Sequence, residues 1–204
     1  MNTIELKKGF KVSAKRRKSK SSMKEKKILD DPFEFSVGET VVEPSIGICE
    51  IKGKTRLQID DKVEDFFIFH SGTAKVMIPK SQLKKRGIRK PISPKEVKKI
   101  YKLLSDYKEV SRDVSRQQYI NDMNILKRGN IIEIATLLKS LYTVELVTEL
   151  KGKEKEIFNN AKRVVIDELM YVTKKSKAIV NNEIDKSLAE ISKKRLKAKA
   201  RSNP

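Results

Sequence analysis

The hydrophobic pattern of this chain changes period once, near residue 93, and that change decides most of what the chain can fold into. Between 33 and 90, apolar residues come in short alternating runs separated by Pro44, Gly47, Gly53, Asp60-Asp61 and Ser71-Gly72. Alternation places every second side chain on one face of a strand, and the turn residues end each run. Five strands are predicted: Thr40–Val42, Ile46–Ile51, Arg56–Ile59, Asp65–His70 and Ala74–Ile78. So many short strands in so little chain predict a small, strongly bent barrel or rolled sheet.

From 93 onward the period becomes helical. Ser93-Pro94-Lys95-Glu96 reads as a helix start, with serine as cap and proline at the first helical position. Val97, Ile100, Leu103, Leu104 and Tyr107 then share one face. Further helices are predicted at about 112–128, ending at Gly129, and at about 130–148, 152–173 and 177–197. Their apolar stripes read as core faces rather than a cofactor site. The fold class is α+β: a basic tail over 1–31, a β module over 32–90, a helical domain over 93–175, and a C-terminal helix over 176–204 that frays into the basic run KKRLKAKARSNP. Gly87–Ser93 reads as the linker between the two modules.

Charge narrows the partners. Lys+Arg number 47 against 27 Asp+Glu, a formal net charge of +20. An excess of that size points to a polyanion, nucleic acid first and an anionic membrane surface second. A general lysine bias would spread the charge, whereas here KRRKSKSS and the C-terminal run concentrate it. The tail at 1–31 self-repels and buries little, so it is expected to be disordered until it meets an anion. It has no apolar stretch of the secretory type, and no apolar run approaches bilayer length, so a soluble, cytoplasmic protein is expected. Arg112, Arg116, Lys127, Arg128, Lys139, Lys151, Lys153, Lys155, Lys162 and Arg163 extend the cationic character along the helices. Such residues bind phosphate without reading sequence.

Enzyme signatures are missing. There is no phosphate-loop or dinucleotide glycine motif, no HExxH and no GxSxG. Cys49 is the only cysteine and His70 the only histidine. Both lie on predicted strands with no third group to orient them as a nucleophile and base. A non-enzymatic protein without cofactor, metal or small-molecule substrate is expected.

The run FSVGETVVEPSIGICEI is similar to the opening of the CarD/CdnL family of bacterial transcription regulators, through Phe35, Gly38-Glu39, Val41-Val42, Glu43-Pro44 and Gly47. The likeness continues at Asp65-Phe66-Phe67-Ile68-Phe69, Val76-Met77-Ile78-Pro79 and Gly87-Ile88-Arg89. In the helices it resumes at Tyr119, Leu126, Gly129, Leu150, Glu154, Ala161 and Glu168-Leu169, covering about 33–172. The resemblance implies an N-terminal Tudor-like barrel that docks on the RNA polymerase β subunit by strand addition. It also implies a helical module that reaches double-stranded promoter DNA at the upstream edge of the transcription bubble and so modulates open-complex stability.

Carried over by position, the polymerase-binding residues are Arg56, Leu57, Ile59, Lys75 and Met77. Leu57 and Met77 stand where the family has arginines, and Arg56 and Lys75 are expected on the opposite faces from them. The DNA-binding residues are Ser115, Arg116, Gln117, Gln118, Lys151, Lys153 and Lys155. Ser115 stands where the family has a tryptophan wedge, and a serine cannot offset lost base stacking. DNA is therefore expected to be held mainly by charge, in a nucleoid-associated protein. The alternatives are a nonspecific architectural DNA-binding protein that has lost the polymerase role, and an RNA- or ribosome-associated module.

Overall fold

A computed structural model describes residues 35–59, 62–72, 74–108 and 115–202. The basic tail at 1–31, Arg112 and the Asp60-Asp61 turn lie outside the described residues. The described residues form one compact unit.

Four strands form an antiparallel sheet in chain order, curled into a half-barrel: β1 (Thr40–Glu43), β2 (Gly47–Ile59), β3 (Lys62–Ser71) and β4 (Ala74–Pro79). The predicted strands Ile46–Ile51 and Arg56–Ile59 are one strand, not two. Gly53 does not break β2; it sits beside a register shift between Ile51 and Gly53, a bulge that bends the strand without ending it. The bend closes the sheet around Phe35, Val41, Cys49, Ile51, Phe67, Phe69, Ile78, Leu83 and Ile88.

Five helices follow: α1 (Pro94–Ser105), α2 (Arg116–Arg128), α3 (Ile131–Glu145), α4 (Gly152–Thr173) and α5 (Lys177–Ser202). Local chemistry accounts for their ends. The Glu96 carboxylate accepts from both the Ser93 N–H and the Ser93 hydroxyl at 2.8 Å, opening α1. Ser115 caps α2 by accepting from the Gln118 N–H at 3.1 Å, and Asn130 caps α3 by accepting from Ile132 at 3.0 Å. Gly129, at φ 70°, supplies the left-handed turn between those two helices.

The helices bury Ile100, Leu104, Ile134, Leu138, Val165, Leu169, Ile184 and Leu188 in a common core. A smaller cluster of Leu137, Leu141, Leu150 and Ile157 lies under α2 with Tyr119 and Met123. The C-terminal run expected to fray is helical as far as Ser202. Lysine, arginine, alanine and leucine favour helix. Lys194 and Arg195 also donate to the terminal carbonyls of Ser105 and Leu146, at 2.6 and 3.0 Å, where α1 and α3 end.

Sheet and helices meet directly. The N–H of Val42 donates to the carbonyl of Arg89 at 2.8 Å, and the N–H of Arg89 donates back at 3.2 Å. The segment between the modules is thereby held to β1 rather than hanging free.

Candidate functional site

Two surfaces carry the residues named from the sequence. The first is the outer face of the sheet. Cross-strand partners share a face, and the register pairs Leu57 with Glu64, Ile68 with Met77 and Gly53, and Thr55 with Phe66. Leu57 is 38 % and Met77 40 % exposed, while Phe67, Phe69 and Ile78 fill the opposite, inner face. Neither residue belongs to the barrel core.

Arg56 points away from them and pairs with Asp65 at 2.7 Å. That guanidinium holds the Asp65 carboxyl below its usual range. Lys75 corrects the expectation: it lies two residues from Met77, so the pleat returns it to the same face as Met77, opposite His70. Ile59 is the last residue of β2, and its side chain lies outside the described residues. Among the described residues, β2 from Gly53 to Ile59 is bonded only to β3, beyond the β1 pairing, and β4 is the last strand of the sheet. Both present backbone to a further strand.

The second surface is a pocket of about 540 Å³ between the N-terminal ends of α2 and α4, lined by Ser115, Arg116, Gln118, Tyr119, Asp122, Lys151, Lys153, Glu154 and Ile157. Five of the seven residues assigned to DNA meet here, although they come from separate helices. Lys151 is the residue before α4 and has no side-chain cap bond, and Arg116 opens α2. The first turns of both helices, which carry the positive ends of their dipoles, therefore border the same opening as three cationic side chains. The Lys153 ammonium lies 4.8 Å from the centre of the Tyr119 ring, tying α4 to α2.

Two assigned residues fall outside the pocket lining. The Gln117 amide donates to Asn121 at 3.1 Å on the exposed side of α2. Lys155 donates to Glu145 at 2.7 Å and lies over the Phe158 ring. The other oxygen of Glu145 accepts from the Leu150 N–H at 3.1 Å, so Lys155 helps to fix the loop that presents Lys151. That contact with Lys155, chiefly, lowers the Glu145 carboxyl from its ordinary range. Among the other helical cations, Arg128 is paired with Glu133 and Lys162 with Asp185, each at 2.6 Å.

The residues missed from the sequence are carboxylates. Asp122 is 2 % exposed and accepts from the Gln118 amide at 2.9 Å. Glu154 stands one residue beyond Lys153 on the pocket wall. The helical spacing of Ser115, Gln118 and Asp122 was a readable signal for one shared face.

The sheet offers no reactive centre in its lone cysteine. The Cys49 thiol is 1 % exposed, and burial pushes it up to about 11, so the nucleophilic thiolate is scarce near neutrality. Among the described residues no helix is long and apolar enough to cross a membrane.

A family model described as CarD-like/TRCF RID domain matches residues 35–92, which contain the whole sheet. A second, described as CarD, C-terminal domain, matches residues 99–185, from α1 into α5. Together the two matches span well over half of the chain, in the order in which sheet and helices occur. The chain belongs to the CarD/CdnL family of RNA polymerase-interacting transcription regulators.

Proposed function

We propose that the sheet docks on the β subunit of RNA polymerase and that the α2–α4 pocket is thereby brought to double-stranded promoter DNA, modulating open-complex stability without catalysis. The observation that carries this reading is the convergence of Ser115, Arg116, Gln118, Lys151 and Lys153 on one opening. Phosphate is the ligand that such a mouth suits, since cations and helix N-terminal N–H groups both favour it. Asp122 and Glu154 on the wall keep the pocket from being purely cationic. Without a tryptophan, base unstacking at Ser115 contributes little, and binding depends mainly on charge.

Docking would use the apolar outer face of Leu57 and Met77 together with an open strand edge. Backbone bonds supply affinity in this mode and side chains supply choice. Capture of purified β subunit by the wild type, compared with Leu57→Asp, tests it. The wild type is expected to capture β and the aspartate variant to lose it; equal capture by both would refute the docking assignment.

A second reading, a nonspecific architectural DNA-binding protein, is favoured by the net charge of +20. It requires DNA binding that polymerase leaves unchanged.

A further inference from the structure

At the seam between sheet and helices lies a carboxylate that is almost wholly buried. Glu168, on α4, is 1 % exposed. Its two oxygens accept from the two ends of the Arg89 guanidinium at 2.6 and 2.7 Å, and one also accepts from the Ile92 N–H at 3.0 Å. The Arg89 Nε donates to the carbonyl of Gly129 at 2.7 Å. Arg89 therefore touches β1 through its backbone, the α2–α3 turn through Nε, and α4 through its fork.

Shape reinforces this charge. Pro44, in the β1–β2 turn, sits against two glycines. A Cβ added at Gly129 would lie 2.4 Å from the Pro44 ring, and one added at Gly87 would lie 2.5 Å from the carbonyl oxygen of Arg128. The Pro44 turn is itself fixed by Glu43, 1 % exposed, which accepts from the N–H groups of Ser45 and Ile46 and from Arg86. The space left among Val42, Pro44, Ile48, Val164 and Glu168 is about 10 Å³. That is scarcely room for one water.

We infer that Arg89, Glu168 and the Pro44–Gly87–Gly129 contact form a rigid coupler, holding the outer face of the sheet and the α2–α4 pocket at one fixed separation and angle. A hinge at 87–93 would have to pull a fully bonded buried carboxylate from its partners, which is costly. Rigid coupling lets the second binding event occur at an effective concentration set by geometry rather than by a loose tether. Arg89 and Glu168 are thus positioning residues. Their functional consequence rests on the reading proposed above, whereas the mechanical claim does not.

Spin labels at Lys75→Cys and Ile132→Cys, both exposed positions, allow the separation to be measured by pulsed electron resonance, with Cys49 too buried to label. The wild-type background is expected to give one narrow distance population. Arg89→Lys keeps the charge but loses the fork, and should broaden the distribution by about twofold or more. Should that variant not fold, Pro44→Ala carries the same expectation. A wild-type distribution with several populations, or an unchanged width in the folded variant, would overturn the coupler.

In unlabelled protein, Arg89→Lys should bind isolated β subunit and isolated duplex as the wild type does. It should lose about tenfold in affinity for the two together. If the wild type binds neither partner, the proposed function fails while the distance measurement still decides the coupler.

Discussion

The seam and the pocket are built from similar residues, arginine, lysine and carboxylate, yet their surroundings set them to opposite uses. At the seam, Glu168 is buried and the Arg89 fork fills both of its oxygens, so the charge is spent on holding three elements together. At the pocket, Arg116, Lys151 and Lys153 are exposed at the mouth of an open cavity. Burial turns this ion pair into a positioning device, because removing Arg89 leaves the Glu168 carboxylate without counter-charge or solvent. Exposure leaves a cation available to a phosphate and worth little to stability. Variants at the two places should therefore separate, those at the seam affecting folding and the joint binding of both partners, and those at the pocket affecting binding of DNA by itself.

The largest effect is expected from Arg89→Ala, which strips the buried Glu168 carboxylate of its guanidinium partner. Urea unfolding should show a loss of about 3–5 kcal/mol. Next comes Gly129→Ala, which must hold alanine at positive φ against the Pro44 ring; about 1–3 kcal/mol should be lost. A loss below about 0.5 kcal/mol in either would mean that the seam yields easily, and the contrast would break.

At the pocket, replacing Arg116, Lys151 and Lys153 together by alanine should cost no more than about 1 kcal/mol of unfolding free energy, the worth of the Lys153–Tyr119 contact. The slope of log affinity for duplex DNA against log salt should flatten by about 0.9 for each phosphate contact removed. An unchanged slope would place the DNA surface elsewhere.

The smallest effect concerns Glu145. Its carboxyl is lowered in the folded protein, so its contribution is complete above the ordinary value of 4.5 and fades as pH falls through the lower folded value. Glu145→Gln should cost no more than about 1 kcal/mol near neutrality. The difference from wild type should vanish in acid, as read from unfolding curves across pH.

Much of this architecture was legible in the sequence because short-range chemistry writes it. The serine, proline and glutamate at 93–96 and the glycine at 129 mark helix ends through bonds made within one turn of the chain. Gly53 misled because glycine ends a strand in one context and bulges it in another, and the register with β3 shows the bulge here. The C-terminal run looked like a fraying tail because its anchors, the carbonyls of Ser105 and Leu146, are distant in sequence.

Site legibility followed the same rule. The cations of the pocket were visible as residues, but their meeting depends on how α2 and α4 pack. Asp122 escaped because an acidic residue among basic ones reads as solvated charge until its burial is known. Arg89 and Glu168 each stood out as a matching position, yet nothing short of the fold pairs residues 79 apart.

A photo-crosslinker placed at Arg116 shows whether docking of the sheet delivers the pocket to DNA. In polymerase–promoter complexes it should capture DNA far more efficiently than with the same DNA alone, and Leu57→Asp should abolish that gain. Capture that is equal with and without polymerase, or undiminished by the aspartate, would contradict the account.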